Sequence, residues 1–280
     1  MPRITLAGQS WYYQEWGKSD RPAVVLLHGF TGSHQSWLPL AHNWSHEWRI
    51  IAPDLPGHGQ TETPDDPQAL SLPATADRLC SLLDHLSIAK AAVIGYSMGG
   101  RLALVMAVRH QERLSKLVLE SASPGLADAA PRRERRQRDE ALADDIESRG
   151  LAWFVPYWAD QPLFMTQPES LRECGNQIRY SQSASGLAQS LRGAGTGVQA
   201  PVWDRLQSLK LPVLIVTGAL DTKFCAIAER MAALIPNAQW VCTAQAGHTV
   251  HGEQPHHFDG LVRAFFDRRT VNEGDESGGI

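Results

Sequence analysis

Between the apolar run at 91–94 and a helix-like stretch at 101–109 lies Gly95-Tyr96-Ser97-Met98-Gly99-Gly100. In that setting a G-x-S-x-G sequence forces a sharp turn, and the serine hydroxyl stands above the sheet at a helix N-terminus. Gly95 and Gly99 let strand and helix approach closely. The N–H of Met98 then points to where negative charge would gather on a reacting oxygen. A serine hydroxyl becomes reactive when an imidazole takes its proton and a carboxylate fixes the tautomer of that imidazole. Far downstream, Asp221 follows the apolar run 213–216 in Gly218-Ala219-Leu220-Asp221, and His248 follows a weaker run in Ala246-Gly247-His248. Glu120 also ends an apolar run and competes for the place of the acid.

Other chemistries are poorly represented. His251 and His256-His257 crowd near His248, but no carboxylate or cysteine completes a recognised ligand spacing, so no metal is expected. The other histidines read as structural or solvated. The four cysteines, Cys80, Cys174, Cys225 and Cys242, form no Cys-x-x-Cys pair and read as reduced thiols of a cytoplasmic protein. Net charge is −4 over 280 residues, which argues against nucleic acid as a partner. No apolar run approaches the ~20 residues of a membrane span, and the N-terminus does not read as a signal peptide.

The elements that must hold these residues follow from hydrophobic patterning. Continuous apolar runs at 23–27, 48–52, 91–94, 117–119 and 213–216, with a weaker one at 240–242, each lead into turn residues. Such runs suit strands covered on both faces. Helical spacing at 75–86, 101–109 and 227–234 lies between them, which predicts an α/β fold with a mostly parallel central sheet flanked by helices. Residues 4–16 alternate around Gly8-Gln9 and predict an antiparallel hairpin. The alternation stops over 124–207, a charged, helix-like stretch that predicts a lid inserted in the second half of the chain. The expected layout is a core of 1–123 and 208–268, a helical lid of 124–207, and a polar, disordered tail of 269–280.

Positive charge marks the lid. Arg132, Arg133, Arg135, Arg136 and Arg138 fall within seven positions, and i,i+4 partners are available for three of them: Glu134 for Arg138, Asp139 for Arg135 and Glu140 for Arg136. A solvated helix face explains such a cluster as well as a binding site does. Arg101 is different. It lies one helical turn past Ser97, where a buried guanidinium demands an anion from the protein or from a ligand.

His28-Gly29-Phe30, Asp54-Leu55-Pro56-Gly57-His58-Gly59, the turn around Ser97, Asp221 and His248 together resemble the α/β-hydrolase superfamily over about residues 4–268. That resemblance implies the α/β-hydrolase fold, with a second oxyanion donor from the loop after the first parallel strand, here the N–H of Phe30. Within the superfamily several further features resemble the 2-succinyl-6-hydroxy-2,4-cyclohexadiene-1-carboxylate synthases of menaquinone biosynthesis. These are Arg101 after the serine turn, Glu120 to Leu126, the arginine-rich helix, Trp158 ahead of Gln161-Pro162-Leu163-Phe164, Arg179, Gly195 to Gln199, and Asp221-Thr222-Lys223-Phe224.

That resemblance implies a lyase that needs no cofactor and takes a small polycarboxylate, acting as a monomer. It implies Ser97, His248 and Asp221 as the catalytic residues, with Phe30 and Met98 stabilising an oxyanion. Tyr96, Arg101, Arg135, Trp158, Arg179 and Lys223 would bind the substrate. Two other functions use the same residues: hydrolysis of an anionic ester or C–C bond with Ser97 as nucleophile, and ligand binding on a catalytically silent fold.

Overall fold

The computed structural model describes residues 2–268, so the tail expected at 269–280 lies outside them. Among the described residues eight strands form one sheet: β1 (Arg3–Leu6), β2 (Gln9–Trp16), β3 (Ala23–Leu27), β4 (Arg49–Pro53), β5 (Ala91–Tyr96), β6 (Leu114–Glu120), β7 (Val213–Gly218) and β8 (Ala238–Thr243). Their order is β1-β2-β4-β3-β5-β6-β7-β8. The first two strands are the predicted hairpin, turning at Ala7 and Gly8, both with positive φ. β2 pairs antiparallel with β4, and every later pairing is parallel. The all-apolar runs are the central strands because both their faces are covered.

Six helices supply that cover. α1 (Leu38–Trp44) packs on one face through Trp37, Leu40 and Trp44. α2 (Leu72–His85) and α3 (Met98–Arg109) lie on the other, with Leu79, Leu82 and Leu102 buried against the sheet. The chain then forms three helices before β7: α4 (Ala129–Ala159), α5 (Glu169–Tyr180) and α6 (Ala184–Ala194). Afterwards α7 (Thr222–Leu234) joins the face of α2 and α3, whereas α8 (Val250–Glu253) and α9 (Pro255–Asp267) join that of α1.

The stretch between β6 and β7 contains no strand and has a small core of its own. Ala143, Ile146, Phe154, Val155, Leu187, Ala188 and Leu191 are buried together. Each large side chain buried there contributes about 1.5–3 kcal/mol, which allows α4 and α6 to hold together away from the main sheet. α4 is not continuous: Gly150 has φ 73° and ψ 179°, which breaks the helix into two segments. The short turn Trp203–Ser208 packs on α3 and α7, with Leu206 in the main core, and so counts with the sheet rather than with these helices.

Two backbone features fasten this layer. The carbonyl of Gly186 on α6 lies 2.5 Å from where a Cβ on Gly57 would stand, and the carbonyl of Gly57 lies 2.6 Å from the equivalent point on Gly186. The two chains meet there backbone to backbone. Beside that seam, Asp54 is fully buried and accepts hydrogen bonds from the His34 N–H (2.7 Å), His34 Nδ1 (2.8 Å) and the Gln60 N–H (2.9 Å). Burial alone would raise the Asp54 pKa, but the His34 hydrogen bond and the nearby imidazoles hold it below its ordinary value. The Asp54–Gly59 sequence is thus a staple for the loop under the helical layer.

Candidate active site

The parallel strands deliver the reactive groups to one end of the sheet. Ser97 follows β5 with φ 51° and ψ −108°, a strained conformation for a non-glycine residue. Its neighbours explain why it is tolerated. A Cβ on Gly95 would stand 2.4 Å from the Gly99 carbonyl, and one on Gly99 would stand 2.1 Å from the Leu27 carbonyl. The Ser97 N–H is anchored on the Glu120 carbonyl at 2.9 Å.

His248 is buried, with Nε2 3.0 Å from Ser97 Oγ and Nδ1 2.6 Å from Asp221 Oδ2. A carboxylate only accepts, so Nδ1 carries the proton and Nε2 is free to receive the proton of Ser97. Asp221 caps α7 and also accepts the Phe224 N–H at 3.3 Å. The ring of Phe224 lies 4.6 Å from that of His248. The three side chains expected to converge are therefore in contact.

Glu120 does not compete with Asp221. Its carboxylate is fully buried on His251, with Nδ1 at 2.8 Å and 3.0 Å from the two oxygens and the His251 N–H at 3.0 Å. His256 and His257 sit exposed at the start of α9, and among the described residues no three metal-ligating side chains gather. His28 is structural: Nε2 accepts the Leu55 N–H at 3.0 Å, which leaves Nδ1 to donate to the Gly29 carbonyl at 2.8 Å. Burial lowers its pKa and keeps it neutral. Burial also lowers His58, to about 3.

Two cavities of about 360 and 270 Å³ open on either side of Ser97 and share Phe30, Ser97, Trp158, Leu163 and His248. Arg101, Arg135, Lys223 and Arg230 line the larger one, and Tyr96 and Arg179 line the smaller one. Met98 lines the larger cavity and opens α3, so its N–H belongs to the first turn, which has no intrahelical acceptor.

Arg101 is buried, and its Nη1 donates to the Ala194 carbonyl (2.9 Å) and to Gln199 Oε1 (3.0 Å). Burial, reinforced by Arg135, lowers its pKa to about 10. Arg179 is also buried; it donates to Asn176 Oδ1 (2.8 Å) and lies over the Phe164 ring. Among the described residues neither guanidinium pairs with a carboxylate, although burial of a charge is costly. Their hydrogen bonds go to neutral oxygens, and Asp139 favours the charge of Arg101 only from beyond ion-pair distance. Trp158 lines both cavities, and its indole N–H is buried without a partner among the described residues. The Tyr96 hydroxyl pairs with Thr249 Oγ1 at 2.8 Å, and burial raises its pKa.

In the arginine-rich segment, Arg135 lines the larger cavity while paired to Asp139 at 2.7 Å, and Arg138 pairs with Glu134. The expected pair of Arg136 with Glu140 is replaced: Arg192 of α6 takes Glu140 at 2.8 Å, together with Asp144 and Glu147. A neighbouring helix outcompetes the local partner because its guanidinium meets three carboxylates at once. Sequence reasoning overlooked Arg230, Phe224 and Ser121. The first was legible: Lys223, Ile227 and Arg230 recur at i, i+4 and i+7 on α7 and all reach the cavity.

The alpha/beta hydrolase fold family matches residues 22–255 of the chain. A Serratia proteamaculans (strain 568) protein named 2-succinyl-6-hydroxy-2,4-cyclohexadiene-1-carboxylate synthase is 30% identical over 262 residues, 92% of this chain and 96% of the relative. A Bacillus subtilis (strain 168) protein, provisionally named as the same synthase, is 42% identical over 252 residues, 89% of this chain and 92% of the relative. The structure of MenH from S. aureus superposes with a TM-score of 0.86 at 34% identity, covering 91% of this chain and 97% of the other. The chain belongs to the alpha/beta hydrolase fold family and, within it, to the 2-succinyl-6-hydroxy-2,4-cyclohexadiene-1-carboxylate synthases.

Proposed function

We propose that the protein is a lyase of menaquinone biosynthesis. It eliminates pyruvate from 2-succinyl-5-enolpyruvyl-6-hydroxy-3-cyclohexene-1-carboxylate to give 2-succinyl-6-hydroxy-2,4-cyclohexadiene-1-carboxylate. The observation that carries this reading is the unbroken Ser97–His248–Asp221 chain set between two cavities, each with a buried arginine that, among the described residues, no carboxylate contacts. An esterase acting on neutral substrates has no use for such charges.

His248 withdraws the Ser97 proton, and the Ser97 oxygen takes the substrate proton next to the ketone. Asp221 holds the imidazole and stabilises it once it is charged. Electron density moves to the ketone oxygen, where the Phe30 and Met98 N–H groups stabilise it by about 3–4 kcal/mol each. The electrons then return through the ring and break the ether C–O bond; the leaving enolate takes up one proton to become pyruvate, which balances the proton that His248 gained and gives back. Arg101 and Arg135 on one side and Arg179 on the other hold the carboxylates, Lys223 adds positive charge, and Tyr96 and Trp158 border the ring. The chemistry requires neither metal nor cofactor.

The lid expected over 124–207 closes the cavities from above in this reading, except that its last turn, Trp203–Ser208, belongs with the core of 1–123 and 208–268. The enzyme works as a cytoplasmic monomer on a small molecule, as the family resemblance implies. Among the described residues no helix is long and apolar enough to cross a membrane.

The test is pyruvate release from the enolpyruvyl substrate, followed by a coupled assay. Wild type should turn over and Ser97→Ala should not. Background pyruvate release combined with fast cleavage of anionic nitrophenyl esters would replace the lyase with a serine hydrolase. Loss of both activities would leave a binding protein.

A further inference from the structure

β5 and β6 run parallel and in register, with Tyr96 opposite Glu120 as their last pair. The first residue beyond each strand is a serine. Ser97 has φ 51° and Ser121 has φ 48°, so two serines stand side by side at the same sheet end, each with a positive φ that is unfavourable for serine. They are tied together, since the Ser97 N–H donates to the carbonyl of Glu120, the residue preceding Ser121. The Ser121 N–H is in turn held by the Val216 carbonyl of β7 at 3.0 Å, which fixes its backbone on a third strand.

The two hydroxyls differ in their partners. Ser97 Oγ has His248. Ser121 is fully buried, and among the described residues its Oγ has no hydrogen-bond partner, yet the residue lines the larger cavity together with Ser97. A buried hydroxyl left unpaired destabilises a fold, and so does a positive φ on serine. Both costs at one residue, in the lining of the cavity that also holds the reactive serine, indicate a group whose partner arrives from outside. The lining is positive: Arg101, Lys223 and Arg230, with Arg135 paired to Asp139, stand against one lining carboxylate among the described residues, Asp128. A hydroxyl can donate or accept, and in such a field its hydrogen turns toward an anionic oxygen.

We propose that the Ser121 hydroxyl is a substrate-binding group that donates a hydrogen bond to a carboxylate oxygen in the larger cavity. The identity of that substrate rests on the function proposed above; the hydroxyl's role as a ligand contact does not. The carboxylate takes no part in bond making, so the contact is equally strong in ground and transition states.

The experiment compares wild type, Ser121→Ala and Ser121→Gly. In steady-state pyruvate release, both variants should show KM raised about tenfold with kcat held within about twofold. Without ligand, Ser121→Ala should melt at or above the wild-type temperature, because it removes an unpaired buried hydroxyl at nearly the same backbone strain. Ser121→Gly, which also relieves the strain, should melt at least as high. In a Ser97→Ala background, where binding is read without turnover, the substrate should raise the melting temperature less when Ser121 is also alanine. A fall of several degrees in unliganded Ser121→Ala would assign the hydroxyl to the fold and overturn the inference. An unchanged KM would do the same. A wild type that releases no pyruvate would overturn the proposed reaction instead, and the Ser121 inference would then be decided by the unliganded melting temperatures alone.

Discussion

Two carboxylate–histidine pairs lie at the same end of the sheet and have nearly the same near-side geometry. Asp221 meets His248 Nδ1 at 2.6 Å, and Glu120 meets His251 Nδ1 at 2.8 Å. Their surroundings differ. His248 turns its second nitrogen to Ser97, 3.0 Å away, between two cavities. His251 is stacked on Trp37 with ring centres 4.6 Å apart and is edge-on to Tyr96, and Glu120 is sealed from solvent by the His251 backbone. A carboxylate–imidazole pair is thus chemically neutral as a motif. The group met by the far nitrogen decides whether the pair moves protons or holds a loop in place.

Substitution should separate the two pairs. His248→Ala and Ser97→Ala should each lower kcat for pyruvate release by about 10³–10⁴ or more, with little change in melting temperature. Should either keep wild-type turnover, the division between the pairs collapses. His251→Ala should do the reverse. It leaves a buried carboxylate with one backbone hydrogen bond, at a stability cost of about 3 kcal/mol, while kcat per folded molecule stays far closer to wild type. Urea unfolding alongside active-site titration reads both quantities.

A smaller effect tests the charge that the site exposes to a ligand. Arg101→Ala removes a guanidinium bonded only to neutral oxygens, and kcat/KM should fall about 10–100-fold. Arg101→Lys should recover part of it. An unchanged kcat/KM would remove Arg101 from the substrate's surroundings.

Acid sets a gentler contrast between histidines. His58 is buried and its pKa is lowered to about 3 from an ordinary 6.5, so folding keeps it neutral where the unfolded chain would protonate it. Its contribution to stability is therefore complete above pH 6.5 and is lost as the pH falls toward 3, at about 1.4 kcal/mol per pH unit. His28, lowered in the same direction, adds to the slope. Denaturant titrations at pH 7, 6 and 5 should show this decline, and a flat profile would refute it. At the low end, Arg138→Ala breaks an exposed pair with Glu134 and should change stability by less than about 0.5 kcal/mol.

The legible parts of the site were those encoded locally. Ser97 announced itself because its neighbours must be glycine for the turn to close, and Asp221 and His248 because each follows a buried strand. Arg101 was readable from one helical turn of spacing. The Asp54–Gly59 sequence marked the family, yet its polar groups serve the loop and not the reaction. What stayed hidden depends on convergence of distant segments. Arg192 captures Glu140 from another helix, and no spacing along α4 could reveal that rival. Ser121 stood out only as part of the stretch Glu120 to Leu126 that marks the family, because its positive φ and its unpaired hydroxyl exist only once β5, β6 and β7 are aligned. The break at Gly150 was equally silent in a stretch whose composition is helical throughout.

The contact of Gly57 with Gly186 bears on how such an enzyme could diversify. Glycines at this joint let the loop after β4 and α6 close with no side chain between them, and Gly193 on the same helix approaches the Pro67 carbonyl as tightly. A single methyl on Gly57 or Gly186 would act as a shim at the seam, on the helix that carries Ser190, Leu191 and Ala194 to the wall of the larger cavity. Substitution at the joint is therefore expected to reshape the accepted ligand with every charged residue left in place.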